Sequence, residues 1–190
     1  MKTKKLALFV LGFITALVLA ACSDTGNEKG KENTSYENNE GDHAGMNHSG
    51  SGEVPEGLKE AENPAFEVGR EIVVNSDHMQ GMNGAAGTIV GAYDTTVYAV
   101  SYTPTTGGEK ISNHKWVIHE ELENAADQPY KPGDEVVLMA DHMKGMNGAT
   151  ATIDTAEQTT VYMIDFTPTS GGAVVKNHKW VTEEELTSAN

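Results

Sequence analysis

The sequence predicts a mainly β fold of two tandem repeats, each a small SH3-like barrel or bent sheet of about 64 residues with short connecting helices. The first observation is that residues 67–122 align without a gap with residues 131–186, shifted by 64 positions, and are identical at 31 of 56 positions. The second is that short runs rich in Val, Ile, Thr and Tyr are separated by glycine-containing turns in both copies. Such regularly spaced short strands are typical of small antiparallel sheets.

The first half of each repeat begins with a helix and a strand. Residues 58–62, and residues 120–126 ahead of the second copy, predict short helices. The apolar runs at 71–74 and 135–138 predict the first strand of each copy. The phrase H-M-x-G-M-N-G-A that follows contains two glycines and an Asn-Gly pair. It predicts a turn or bulge, because these residues tolerate special backbone angles.

The second half of the repeat is dominated by strands. Residues 88–89 predict the second strand, and residues 96–102 predict the third by their alternation of apolar side chains. The glycine-rich residues 105–108 predict a hairpin turn. Residues 115–117 begin the last strand before the next helix.

The N-terminus has the features of a bacterial lipoprotein signal. Residues 1–21 contain three lysines followed by an apolar run at 6–19, which is too short for a membrane span. The run ends in Leu-Ala-Ala-Cys, which resembles a lipobox, and Cys22 is the only cysteine in the chain. The alternative is a free thiol after an ordinary signal peptide. The sequence thus predicts a lipid anchor at Cys22 that holds the protein on the extracytoplasmic face of the cell membrane.

A polar segment separates this signal from the repeats. It contains too few apolar residues to offset its conformational entropy, so it predicts a disordered tether. His43, Met46 and His48 cluster within it, which favours metal capture, although chance enrichment in a polar linker is the alternative. The predicted segments are the signal peptide 1–21, the tether 22–53, the first repeat 54–126 and the second repeat 127–190.

The charge balance excludes some partners. The chain has a net charge of −15, and loss of residues 1–21, with three lysines and no acidic residue, leaves 10 basic against 28 acidic residues, or −18. Nucleic acids and anionic lipid headgroups require a basic face, so neither is an expected partner. Cations are favoured, although a high acidic count is also typical of an ordinary solvated surface.

The identical blocks of the two copies contain side chains that bind soft metal ions. His78, Met79 and Met82 lie close together around a glycine-rich turn. Reduced copper prefers imidazole and thioether ligands, whereas carboxylates suit harder ions. These residues are therefore candidate ligands for Cu(I). The second copy repeats the same set as His142, Met143 and Met146.

The N-H-K-W-V block adds a further imidazole and an indole to each copy. His114 and His178 are candidate ligands, and Trp116 and Trp180 are candidate caps, because an aromatic face attracts a cation. A carboxylate directly before the first histidine of each copy could orient that ring from outside the metal site. These carboxylates are Asp77 and Asp141.

Each candidate has an ordinary structural alternative. Methionine fills irregular gaps in protein cores. Trp116 could be a core anchor, and His114 could simply hydrogen-bond the nearby backbone. Zinc is a weaker candidate than copper, because no cysteine ligand is available and the methionines would go unused.

These motifs resemble those of a known family. The signal, the tether and both repeats, with the phrases D-H-M-x-G-M-N-G-A and N-H-K-W-V, resemble YdhK-type bacterial lipoproteins built from two DUF1541 domains. That family is similar to copper-binding lipoproteins found in copper-resistance loci of staphylococci and related bacteria. The resemblance implies copper sequestration for copper tolerance, with a copper exporter or another copper-handling envelope protein as partner.

Two functional classes stay open, and a third is not expected. One is a surface-tethered copper-binding protein. The other is a structural or adhesive envelope module that binds peptide or wall polymer through an aromatic groove lined by Tyr98, Tyr102 and Trp116. An enzyme is not expected, because no acid, base and nucleophile set recurs, and Ser76 is replaced by Ala140 in the second copy.

Overall fold

The computed structural model describes residues 49–189, which form one open antiparallel sheet of eight strands. Within these residues the only helical pieces are two 3-10 turns, His119–Glu121 and Glu183–Glu185. No helix in the described part of the chain is long and apolar enough to cross a membrane. The strands are β1 (Lys59–Glu60), β2 (Glu71–Val74), β3 (Ala86–Tyr102), β4 (Ile111–Ile118), β5 (Glu135–Val137), β6 (Thr150–Thr167), β7 (Val175–Thr182) and β8 (Leu186–Ser188).

The two longest strands are the same strand of the two repeats. β3 has 17 residues, β6 has 18, and the two pair antiparallel along their length. Thr95 lies opposite Thr159, its own equivalent in the other repeat. Equivalent residues that face each other mark a pseudo-two-fold axis, as in the symmetric interface of a homodimer.

Each half of the sheet mixes the two repeats. A first lobe has a core drawn from residues 66–92 and 162–186, and a second lobe has a core drawn from residues 98–122 and 136–153. In the first lobe, β2 pairs both with β3 of its own repeat and with β8 at the end of the other repeat. The lobes therefore do not coincide with the sequence repeats, because each joins the first half of one repeat to the second half of the other.

A third group of buried side chains, the central cluster, lies on the middle of the long strands and on β4 and β7. It contains both tryptophans, and burial of such large aromatic side chains contributes strongly to stability. Its buried members are Val97, Ala99, Trp116, Ile118, Val161, Met163 and Trp180.

The long strands bend so that they can serve both lobes. The β3–β6 register shifts between Ile89 and Gly91, and again between Ala99 and Val100. A bulge of this kind bends a strand and increases its twist. One continuous strand thus contributes side chains to two separate cores.

The prediction of a mainly β fold with two repeats is confirmed, but several details differ. The strands make one open sheet in place of two SH3-like barrels, because β3 and β6 pair with each other. The helix predicted at 58–62 is wrong, since Lys59–Glu60 is a strand paired with Tyr93 and Asp94. Only the 3-10 turn His119–Glu121 occurs where a helix was predicted at 120–126. The strands predicted at 88–89 and 96–102 are one strand, because the β-branched and aromatic residues between them continue the pairing.

Candidate functional site

The D-H-M-x-G-M-N-G-A phrase lies in the loop between β2 and β3 in the first repeat and between β5 and β6 in the second, where a turn was predicted. In the first copy, Met82 N donates to the carbonyl of Met79 at 3.2 Å, and Gly84 N donates to the carbonyl of Val74 at 2.8 Å. Gly81 has a φ of 80° and Gly84 a φ of 77°, which only glycine adopts without strain. These two tight turns explain both glycines of the phrase.

A second block, T-P-T-x-G-G, is common to both copies, at residues 103–108 and 167–172. In each lobe this block of one repeat holds the histidine loop of the other repeat in place. Thr169 N donates to the carbonyl of Gly81 at 2.8 Å, and Thr105 N donates to the carbonyl of Gly145 at 2.9 Å. A Cβ at Gly81 would collide with Ser170, so the contact requires glycine. The T-P-T-x-G-G block of each repeat therefore makes the same hydrogen bond to the histidine loop of the other repeat.

The N-H-K-W-V block lies on β4 and β7 at an irregular position. Asn113 has a φ of 52° and Asn177 a φ of 51°, a left-handed conformation that Asn tolerates better than most residues. The peptide bonds Lys115–Trp116 and Lys179–Trp180 are both cis. The register of each strand shifts on either side of the histidine, so the block leaves the regular ladder at this point.

Two carboxylates that follow this block each contact a histidine of the other repeat. His142 Nε2 lies 2.8 Å from Glu121 Oε1, and His78 Nε2 lies 2.7 Å from Glu185 Oε1. The first contact has hydrogen-bond geometry, whereas the second is within ion-pair distance without forming a hydrogen bond. These glutamates belong to an E-E-L phrase at residues 120–122 and 184–186. The structure thus brings the D-H-M phrase of each copy into contact with the E-E-L phrase of the other.

The tryptophans bind the same carboxylates from the opposite side. Trp116 Nε1 donates to Glu185 Oε2 at 2.9 Å, and Trp180 Nε1 donates to Glu121 Oε2 at 3.1 Å. The Trp116 ring also meets the His78 ring edge-on, with centroids 6.2 Å apart. Each tryptophan therefore reaches from its own strand to the carboxylate of the other lobe.

The second lobe brings two histidines and a methionine together. The ring centroids of His114 and His142 are 6.3 Å apart. Tyr102 meets the His114 ring edge-on at 6.0 Å, and its hydroxyl lies 4.0 Å from Met143 Sδ. His114 belongs to the first repeat, whereas His142 and Met143 belong to the second.

The first lobe has the equivalent parts. His178 meets Phe166 edge-on with centroids 5.6 Å apart, where the second lobe has His114 on Tyr102. Met79 is half-buried and packs against the first-lobe core. The His78 side chain lies between Glu185 and Trp116.

The electrostatics of the site favour a neutral imidazole at His114 and an ionised carboxylate at Glu185. Burial, together with repulsion from His142 and His78, lowers the pKa of His114 to about 4, although Glu121 opposes the change. Burial alone would raise the pKa of Glu185, but its contacts with His78, and hydrogen bonds from the backbone and from Trp116, lower it to about 2.

Several buried imidazole nitrogens have no hydrogen-bond partner among residues 49–189. They include Nε2 of His114 and both nitrogens of His78, whose Nε2 lies 2.7 Å from Glu185 Oε1 without hydrogen-bond geometry. Buried polar atoms without a partner are costly, so such atoms often mark a site that another group completes. Within the same residues, no group of three or more His, Cys, Asp or Glu side chains is arranged to hold a metal ion.

The remaining predicted site residues lie in different surroundings. Met82 and Met146 are fully buried, one in the core of each lobe, with 0% of their surface exposed. Asp77 and Asp141 are exposed on the surface, and the carboxylates that contact the histidines are Glu121 and Glu185 instead. The residues predicted in the N-terminal segments, Cys22, His43, Met46 and His48, lie outside the described residues.

The sequence contained a signal for the two glutamates. E-E-L is identical in both copies, at the same distance from N-H-K-W, and its first copy begins the helix that the sequence predicts at 120–126. Glu121 and Glu185 do close a 3-10 turn, where each accepts a backbone hydrogen bond from the residue three positions before it. The second oxygen of each carboxylate contacts a histidine, and no local pattern could reveal this partner.

The fold and this interface define a two-repeat β protein whose histidines and carboxylates meet across the repeats. The chain belongs to the family described as "Protein of unknown function (DUF1541)", whose model matches it twice, at residues 68–119 and 132–183. This confirms the resemblance to DUF1541 proteins that the two motifs indicated.

Its relatives include a protein of Bacillus subtilis strain 168 described as "Uncharacterized protein YdhK". The two are 53% identical over 190 residues, an alignment that covers 99% of this chain and 91% of the relative. A crystal structure of the DUF1541 family protein ydhK from B. subtilis has 59% identity and a TM-score of 0.74, covering 77% of this chain and 100% of that one. The solution NMR structure of the ydhK C-terminal domain has 59% identity and a TM-score of 0.62, covering 65% of this chain and 93% of that one.

Proposed function

We propose that this protein is a lipid-anchored, extracytoplasmic protein that binds copper as Cu(I) and sequesters it, so that the cell tolerates copper. The observation that carries the proposal is the approach of the His114 and His142 rings in the second lobe, with Met143 beside the Tyr102 hydroxyl whose ring packs on His114. Two imidazoles and a thioether form a ligand set that suits a soft ion. The unpartnered Nε2 of His114 supplies a free nitrogen for such an ion.

The spacing of the two rings supports this ligand set. A metal–nitrogen bond of about 2 Å on each side, plus half a ring on each side, would put the centres of two imidazoles roughly 6 Å apart. The centroids of His114 and His142 are 6.3 Å apart. The spacing agrees with one ion held in line between a nitrogen of each ring.

The protonation state of His114 supports it as well. A metal ligand must be a neutral imidazole, because a protonated ring has no lone pair to donate. The pKa of His114 is lowered to about 4 by burial and by its neighbouring histidines. At neutral pH the ring needs to release no proton before it binds an ion.

The alternative of an open aromatic groove for peptide or wall polymer has less support. Tyr98 is 0% exposed, Tyr102 is 1% exposed and Trp116 is 8% exposed. A groove that binds a polymer presents its aromatic faces to solvent. These three side chains pack in the interior instead.

The location of the protein follows from the lipobox-like sequence before Cys22, which we propose is lipidated and anchors the chain outside the cytoplasm. A copper exporter or another copper-handling envelope protein would be its partner. Replacement of Cys22 with Ala is expected to release the protein from the membrane or to leave the precursor uncleaved. Unchanged membrane association that needs detergent for release would contradict the anchor.

The copper proposal is tested by anaerobic titration of the chain from residue 23 with Cu(I), in competition with a Cu(I) chelator. The tether histidines and Met46 are first changed to Ala and Leu, so that only the folded region contributes. We expect tight Cu(I) binding that weakens when Met143 is changed to Leu. The exposed Met139, which is 48% accessible, provides the matched control, and Met139→Leu should bind as the parent does.

The same titration decides the role of the buried methionines. Met82→Leu and Met146→Leu keep the side-chain volume and remove the thioether. A fall in Cu(I) affinity with an unchanged unfolding midpoint would make them ligands. Unchanged affinity would assign them to the lobe cores, and absence of Cu(I) binding in the parent protein would refute the copper function.

A further inference from the structure

Glu121 and Glu185 occupy equivalent positions and make the same contact twice. Each uses Oε1 to face Nε2 of a histidine that belongs to the other repeat, at 2.8 Å for His142 and 2.7 Å for His78. The same atoms are paired in both lobes, although the two lobes differ in the surrounding side chains. This repetition indicates a requirement of the site.

The contact favours the tautomer with its proton on Nε2, most directly at His142, whose Nε2 has hydrogen-bond geometry with Glu121 Oε1. An ionised carboxylate can only accept hydrogen bonds, so the imidazole nitrogen that faces it carries the proton. The lone pair of a neutral ring is then on Nδ1. In His78, Nδ1 is buried and has no hydrogen-bond partner among residues 49–189. The Nε2 of His78 lies 2.7 Å from Glu185 Oε1 as an ion-pair contact outside hydrogen-bond geometry, so the Nε2–H form leaves the lone pair on the buried, unpartnered Nδ1.

The other oxygen of each carboxylate, Oε2, accepts hydrogen bonds from two further donors. Oε2 of Glu121 accepts from the backbone N of Ile118 at 3.2 Å and from Trp180 Nε1 at 3.1 Å. Oε2 of Glu185 accepts from the backbone N of Thr182 at 2.9 Å and from Trp116 Nε1 at 2.9 Å. Because these donors come from the same 3-10 turn and from the other lobe, the carboxylate cannot swing away from its histidine.

We infer that Glu121 and Glu185 are the positioning residues of two composite metal sites. Each holds one histidine of the other repeat in the Nε2–H form and presents the Nδ1 of that histidine to the cation. The cation itself rests on the copper function proposed above, whereas the tautomer is a property of the metal-free protein. Hydrogen-bonded carboxylates of this kind orient histidine ligands and raise their basicity.

The first test is made without metal, on the same chain from residue 23 with the tether histidines and Met46 replaced. Long-range proton–nitrogen NMR correlations report which ring nitrogen of each histidine carries the proton. We expect the Nε2–H form at His78 and His142. Glu121→Gln should change the tautomer or the ring shifts of His142 alone, and Glu185→Gln those of His78 alone. The exposed neighbours provide the controls, and Glu123→Gln and Glu184→Gln should change neither ring.

The second test measures Cu(I) affinity of the same variants by chelator competition. Loss of an outer carboxylate partner typically costs about 10–100-fold in metal affinity. We expect that loss at one of two sites for each single variant, and no loss for the controls. Should Glu121→Gln fail to fold, Glu121→Asp keeps the charge and withdraws it by one methylene, and the same pattern is expected there.

The outcomes separate the two proposals. An Nδ1–H form in the parent protein, or variants that leave both tautomer and affinity unchanged, would overturn the positioning role. A fall in stability with unchanged affinity would make the glutamates purely structural and also overturn it. The expected tautomers with no Cu(I) binding in the parent protein would keep the positioning role and refute copper as the ion that it serves.

Discussion

The two lobes carry the same motifs, yet the second lobe encloses its carboxylate more completely than the first. The side chain of Glu121 is 7% exposed, whereas that of Glu185 is 15% exposed. The tryptophan that donates to Glu121 is 0% exposed, and the one that donates to Glu185 is 8% exposed. A hydrogen bond to a charged group gains strength as water is excluded. The same chain of Trp, Glu and His should therefore matter more in the second lobe.

The surroundings of the two carboxylates also differ at two positions where the repeats have different residues. Ser76 Oγ donates to Glu185 Oε1 at 3.4 Å, whereas Ala140 takes this position in the second lobe and leaves the Glu121 oxygen to His142. The Tyr102 hydroxyl reaches Met143 in the second lobe, and its equivalent in the first lobe is a phenylalanine. Identical motifs thus lie in different surroundings, because residues that are not identical complete each site.

The largest expected effect is that of separating the repeats. A fragment of residues 54–126 contains β3 without β6 and half of each lobe core. We expect it to be unfolded as a monomer, or to recover the fold as a homodimer in which two copies of β3 pair. Light scattering after size exclusion, with circular dichroism, measures both properties. A folded monomer would show that each repeat can form its own core.

The next largest effect compares the tryptophans. Trp180→Phe leaves a buried carboxylate without one donor and opens a cavity, so we expect a loss of about 3 kcal/mol in the free energy of unfolding. Trp116→Phe makes the same change beside a more exposed carboxylate, and about 1–2 kcal/mol is expected. Urea unfolding of both variants measures the difference. Equal losses would mean that the lobes hold their carboxylates equally firmly.

Acidification is expected to destabilise the protein in two steps. The pKa of His114 is lowered to about 4 from 6.5, so the unfolded chain binds this proton first and stability falls as the pH drops from 6.5 to 4. At about 1.4 kcal/mol per pKa unit, and allowing for partial exposure, the loss is about 2–3 kcal/mol.

A second loss follows at lower pH. The pKa of Glu185 is lowered to about 2 from 4.5, so its contribution is complete above pH 4.5 and disappears as the pH falls to 2. Urea unfolding of the parent and of His114→Gln over this range measures both steps. The variant should lose stability less steeply between pH 6.5 and 4, and identical slopes would contradict the role of His114.

The smallest expected effect is that of exchanging Ser76 and Ala140, the equivalent residues that differ beside the two carboxylates. Ser76→Ala removes a long hydrogen bond, and we expect a loss below about 1 kcal/mol in unfolding free energy. The reciprocal change Ala140→Ser offers the same hydroxyl to the second lobe and serves as the matched comparison. A loss of several kcal/mol from Ser76→Ala would show that this hydroxyl, and not burial alone, makes the first lobe different.

The sequence predicted those features that depend on neighbours along the chain. Gly81 and Gly84 indicated the tight loop because positive φ is a local property, and Gly107 indicated the hairpin turn that its hydrogen bond to Pro104 closes at 2.9 Å. Repeated identity located the histidines and tryptophans of the site. The helix expected at 58–62 failed because pairing of Lys59–Glu60 with β3 outweighs a weak helical preference.

The features that the sequence did not predict depend on which strand faces which. A period of 64 residues is equally compatible with strands that pair within a repeat and with strands that pair between repeats. Only the pairing of β3 with β6 brings the histidine loop of one copy to the glutamate of the other. Glu121 and Glu185 were therefore visible as identical residues, but their histidine partners were not.

The pairing of Thr95 with Thr159 has a consequence for how the sequence of this protein can evolve. In a dimer of identical chains, one mutation alters both halves of a symmetric interface at once. Here one covalent chain supplies both halves, so a mutation alters one lobe and leaves its counterpart as it was. The differences at Ser76 and Tyr102 are changes of that kind. Joining the halves in one chain thus lets each lobe change separately while the shared strands keep a common framework.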